Sequence, residues 1–169
     1  MEPFRTIVAA VDFSETSREV IKAAIALAQA GGGRICLVHV VPPLVHAPWV
    51  VEARGLDVED VQGQWVAKAE TQLADLAARE RLDPRSTTVD VLVGPAAAEI
   101  VGYADSHRAN VLVMGSHGHG VIRRVLLGSV VERVLREAGC PVMVVTDRAV
   151  RSTLADVRTM RAGGSSHAA

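Results

Sequence analysis

Five short apolar runs punctuate the chain: RTIVAAVD (Arg5–Asp12), RICLVHVV (Arg34–Val41), STTVDVLVG (Ser86–Gly94), NVLVMGS (Asn110–Ser116) and PVMVVT (Pro141–Thr146). The first, second and fourth are apolar with hardly a break, as expected of strands covered on both faces in a parallel sheet. The third is rich in β-branched residues, another strand signal. Segments with helical spacing separate the runs. Strands that alternate with helices imply a parallel sheet flanked by helices, and right-handed crossovers then give one doubly wound α/β domain.

The connecting segments carry their own punctuation. Thr16-x-x-Glu19 reads as a capping box, after which Val20, Ile21, Ala24, Ile25, Leu27 and Ala28 recur at helical spacing until Gly31-Gly32-Gly33. The stretch from Leu44 to about Asp60 contains Pro48 and Gly55 and reads as a loop or short helical excursion. A helix is expected from Val61 to Arg81, with Val66, Leu73, Leu76 and Ala77 facing inward. Pro95 suits the first turn of a helix running to about His107, and a last helix spans Val130 to Glu137, ended by Gly139. The domain is expected over residues 1–147. Residues 148–169, ending RAGGSSHAA, read as a frayed tail with a turn or two of helix near Thr153–Arg161.

Composition narrows the possible partners. With 169 residues, 49% hydrophobic and 22% charged, the chain can bury a real core. A formal net charge of -1 supplies no global field for nucleic acid or acidic membranes, and 3% aromatics argues against base-stacking platforms. Any anion site must therefore be local. Cys36 and Cys140 form no CxxC pair and read as ordinary buried thiols. The start, MEPFRTIVAAVDFS, lacks the pattern of a secretory signal, and no run reaches bilayer length, so a cytoplasmic location is expected.

Glycine then points to the chemistry. Gly115, Gly118 and Gly120 crowd behind the fourth strand, and Gly128-Ser129 opens the last helix. Successive amides in such a turn form an anion nest, and a helix N-terminus favours phosphate. The spacing Gly115-x2-Gly118-x9-Gly128-Ser129 thus reads as a cradle running from strand through loop to helix. Ligands in such folds bind beyond the carboxyl ends of strands where the strand order reverses. Asp12 and the Met114-Gly115-Ser116 triplet end two strands that could share that crevice. Plainer readings stand beside these: Ser129-x-x-Glu132 is itself a capping box, Asp12 is a turn former, and Arg123 and Arg124 are solvated surface. His117-x-His119 lacks a third ligand, so no dedicated metal site is expected. GxxxxGK[ST], GxGxxG and GxSxG are all absent, and no base is paired with a nucleophile, so no catalytic residues are expected.

VDFSETS (Val11–Ser17), LVHVV (Leu37–Val41), VLVMGSHGHG (Val111–Gly120) and LLGSVVERVL (Leu126–Leu135) together resemble the universal stress protein family in its ATP-binding form. The likeness covers about Arg5 to Thr146. It implies a five-stranded sheet in the order 3-2-1-4-5 and a homodimer paired through the last strand, Pro141–Thr146. It also implies ATP, with Mg²⁺ carried on its phosphates, and a stress-response role with at most slow hydrolysis. The resemblance places adenine near Val11, Asp12 and Val40. Ribose and phosphates fall at Met114, Gly115, Ser116, His117, Gly118, Gly128, Ser129 and Val130. Val131 departs from the pattern, since nucleotide-binding relatives often carry a hydroxyl there. The alternative is a dimeric interaction module of the same fold that binds no nucleotide.

Overall fold

In the computed structural model, which describes residues 4–44, 58–116 and 127–146, strand β1 (Thr6–Ala10) lies at the middle of a five-stranded sheet. The other strands are β2 (Arg34–Val41), β3 (Thr87–Val93), β4 (Val111–Gly115) and β5 (Val142–Val145). Their order is β3-β2-β1-β4-β5, and every pairing is parallel. Helices α1 (Thr16–Gly31), α2 (Val58–Arg79), α3 (Ala96–Ser106) and α4 (Ser129–Glu137) connect them. The doubly wound α/β domain expected from the alternation is therefore present.

Alternation along β1 builds two cores. Ile7, Ala9 and Val11 face Val20, Ile21 and Ala24 of α1 and Leu73 and Ala77 of α2. Val8 and Ala10 face Ala97, Ile100 and Tyr103 of α3 and Val131 and Val134 of α4. Side chains on a strand point to opposite faces in turn, so a strand clad by helices on both sides must be apolar throughout. All five residues of β1 are buried. Edge strand β3 shows the opposite: Val89 is 39% exposed and Val93 43%, which fits its mixed composition.

The ends are pinned by polar contacts. The Asn110 side-chain carbonyl accepts from the Arg5 and Thr6 amides at 3.0 and 2.9 Å, tying the start of β1 to that of β4. Tyr103 donates its hydroxyl to Asp90 at 2.6 Å, tying α3 to β3. Burial and this bond push the Tyr103 hydroxyl well above its ordinary range. Gly32 closes α1 in the left-handed region at φ 63°, its amide bonded to the Ala28 carbonyl; few residues other than glycine tolerate that conformation.

Several local expectations need correction. Glu15, not Thr16, is the N-cap of α1, and it makes no side-chain cap bond; Thr16 is a buried helical residue. Pro95 sits at the N-cap of α3 with ψ 113°, one position before the first turn. Helix α2 is described from Val58, three residues ahead of the expected Val61, and ends at Arg79. Cys36 is buried, whereas Cys140 is only half-buried. Most of the 44–60 stretch, and the tail at 148–169, lie outside the described residues.

Candidate functional site

The strand order reverses between β1 and β4, which lie side by side. A cavity of about 300 Å³ opens beyond their carboxyl ends, at the small end of the range for small-molecule sites. Eight of the residues singled out in the sequence line it: Val11, Asp12, Val40, Met114, Gly115, Gly128, Ser129 and Val130. Ser116 is buried and is not part of the wall. His117 and Gly118 lie outside the described residues, as do His119, Arg123 and Arg124.

At one end the wall is apolar with a single acid. Val11, Val38 and Val40 supply the surface. Asp12 follows β1 and is fixed by side chains. Its Oδ1 accepts from the Ser14 amide at 3.0 Å, the Ser14 hydroxyl at 2.6 Å and the Ser17 hydroxyl at 3.1 Å. The other oxygen, Oδ2, is shielded from solvent and has no hydrogen-bond partner. A buried acceptor left without a donor costs about 1–3 kcal/mol. Phe13, next in the chain, adopts φ 64°. That conformation is uncommon for an aromatic residue and recurs at functional turns. Its ring lies 4.2 Å from that of His39, whose Nδ1 is 2.8 Å from the Val11 carbonyl. A carbonyl only accepts, so Nδ1 carries the proton and Nε2 of the neutral ring is the acceptor.

At the other end the wall is main chain. Gly128 is the N-cap of α4, with no side-chain cap bond. The box expected from Ser129 and Glu132 does not form, because Ser129 is already the first helical residue and its hydroxyl lies past the cap position. The Gly128 amide is also committed, donating to the Ser116 carbonyl at 3.0 Å. This bond, with the Ser116 amide donating to the Val145 carbonyl at 2.8 Å, anchors the helix start to β4 and β5. The anion-facing donors thus shift one residue along the helix. The amides of Ser129, Val130 and Val131 occupy the first turn, where no intrahelical acceptor exists, and all three residues line the cavity. Val131, where the resemblance implies a hydroxyl, offers only its N–H.

Ser14, which follows closely behind Asp12 at the end of the first strand, lines the cavity; sequence reasoning left out Ser17, Val38 and His39, which line it too. The two serines lie inside VDFSETS, and their spacing from Asp12 was the available signal. His39 ends β2 beside Val40 but, as a lone histidine, carries no signature. Among the described residues, no group of three or more His, Cys, Asp or Glu could hold a metal ion. Among them, too, no helix is long and apolar enough to cross a membrane.

Fold and crevice together define a doubly wound α/β domain with a cavity at the point where the strand order reverses. The profile of the Universal stress protein family matches residues 3–146, and the chain belongs to that family. Universal stress protein MJ0531 of Methanocaldococcus jannaschii is 34% identical over 149 residues, spanning 84% of this chain and 82% of that protein. The solved structure of hypothetical protein MJ0577 superposes with a TM-score of 0.72 at 24% identity, covering 85% of this chain and 96% of that one. A universal stress protein from Archaeoglobus fulgidus in complex with dAMP gives 0.58 at 24% identity, over 85% and 98% of the two chains. A universal stress protein in complex with cAMP gives 0.59 at 23% identity, over the same shares.

Proposed function

We propose that this chain is an adenine-nucleotide-binding regulatory protein and that ATP, carrying Mg²⁺ on its phosphates, occupies the cavity between β1 and β4. The observation that carries this reading is the cavity's polarity. A valine-lined end beside the Asp12 carboxylate faces the first turn of α4, where the amides of Ser129, Val130 and Val131 have no intrahelical acceptor. The amides and the helix dipole suit a polyanionic tail. The base then falls at the Val11–Val40 end, where the adenine amino group supplies the missing donor; guanine would present a carbonyl oxygen there. Relatives of the same fold solved with dAMP and cAMP support the choice of base.

Binding rather than turnover is the proposed work. Asp12 is the one carboxylate among the described residues lining the cavity. It lies at the base end with one oxygen engaged by two serines, away from the helix mouth where phosphate chemistry would occur. In a thermal-shift experiment, ATP at a hundred times its Kd should stabilise the fold by about 2.7 kcal/mol. No shift with millimolar ATP and Mg²⁺ would contradict the reading.

A homodimer through β5 is the second element of the proposal. Met143 on that edge strand is 40% exposed, and an apolar edge is ordinarily covered. Light scattering should give twice the chain mass for the wild type and a monomer for Met143→Glu. A dimer in both would move the interface elsewhere.

A further inference from the structure

Strand β2 outlasts its neighbour β1, which ends at Ala10 opposite Val38. The even-numbered residues of β2 turn their main-chain groups towards β1: the Arg34 amide donates to the Arg5 carbonyl and the Val38 carbonyl accepts from the Val11 amide, both at 2.9 Å. The odd-numbered residues turn theirs towards β3: the Ile35 amide donates to the Ser86 carbonyl at 2.9 Å, and the Val41 carbonyl accepts from the Gly94 amide at 3.1 Å. By the same alternation the amide and carbonyl of Val40 turn to the β1 side. The next rung of a regular parallel ladder would join the Val40 amide to the Val11 carbonyl.

Among the described main-chain bonds that rung is missing. The Val11 carbonyl instead accepts from His39 Nδ1 at 2.8 Å. The imidazole also lies against Phe13, ring centroids 4.2 Å apart, where the chain turns away from the sheet at φ 64°. A side-chain N–H thus satisfies the acceptor that would have closed the ladder. Val11, His39 and Val40 all line the cavity, so the rung stops short at the end where the base is proposed to lie.

We infer that His39 is a positioning residue for the base: it holds the Val11 carbonyl, stops the β1–β2 ladder one rung early and keeps the main chain of Val40 open to the cavity. The base role rests on the nucleotide reading above. The ladder role stands on the hydrogen bonds alone.

Amide hydrogen exchange and calorimetric titration with ATP test the two roles on the whole chain, in the wild type, His39→Phe and His39→Asn. Phenylalanine keeps a ring against Phe13 but has no N–H to give. Asparagine loses the ring but places a donor nitrogen where Nδ1 stands. In His39→Phe the Val40 amide should close the rung, so its exchange should slow at least about tenfold and ATP affinity should fall about tenfold. In His39→Asn both should return to within about threefold of the wild type. A Val40 amide that exchanges alike in the wild type and His39→Phe would overturn the ladder role. Unchanged ATP affinity in His39→Phe, or equal loss in both variants, would overturn the positioning role. Imidazole nitrogen NMR shifts of the wild type should place the proton on Nδ1; a ring protonated only at Nε2 would overturn the inference without any variant. Should the wild type bind no ATP, the nucleotide reading falls together with the base role, while exchange at Val40 still decides the ladder role.

Discussion

The two ends of the cavity are built from different materials. The Asp12 end is held by side chains, with three hydrogen bonds converging on one carboxylate oxygen. The α4 end is held by main chain, with Gly128 bonded back to Ser116 and the next three amides left at the helix mouth. Side chains can select among bases by donor and acceptor pattern. Amides at a helix start attract any anion, whatever is attached to it. In the proposed function, base identity is read at one end and the phosphates are held at the other. Mutations should therefore separate the two properties.

The largest effect is expected from Ser129→Asp. A carboxylate in the first turn of α4 competes for the same amides and repels phosphate, so ATP affinity should fall at least about a hundredfold. The same charge favours the helix dipole by about 0.3–1 kcal/mol, so the melting temperature should hold or rise. Calorimetry and thermal melts on one preparation would show the two moving in opposite directions. Joint loss of both would mean that the serine supports the fold instead.

Asp12→Ala comes next. It strips the Ser14 and Ser17 donors of their acceptor, and stability should drop by about 2 kcal/mol. ATP should bind about tenfold more weakly and lose its advantage over GTP, as read by competition. An unchanged preference for ATP would remove Asp12 from base recognition. Ser17→Ala is milder, costing about 1 kcal/mol through one lost bond, with ATP affinity within about threefold of the wild type. The smallest effect separates the ends without mutation. Raising salt from 0.1 to 1 M should narrow the affinity gap between ATP and adenosine, because screening acts on the phosphate end. A gap that ignores salt would contradict anion capture at α4.

The same contrast explains what could be read from the sequence. Strands β1, β2 and β4 were legible because burial on both faces leaves an unbroken apolar run. The main-chain end was legible because glycine spacing records where a backbone must turn, although the committed Gly128 amide could be seen only once Ser116 was placed beside it. Capping was the weakest inference. Thr16-x-x-Glu19 and Ser129-x-x-Glu132 both fit the box, yet neither helix uses it. At α1, Asp12 reaches forward to Ser17 across the turn, and at α4 the helix begins with the serine already inside. These outcomes depend on how the preceding strand delivers the chain, which local spacing does not record. His39 was not legible for a similar reason, since it meets Val11 and Phe13 only through the sheet.

The central claim is that the amides of Ser129, Val130 and Val131 hold the phosphates while the Asp12 end holds the base. Amide NMR of the labelled protein, titrated in parallel with ATP and adenosine, tests it most directly. Both ligands should move the Val11, Asp12 and Val40 resonances, and ATP alone should strongly shift the three amides at the start of α4. ATP that binds yet leaves those three amides where adenosine leaves them would contradict the account.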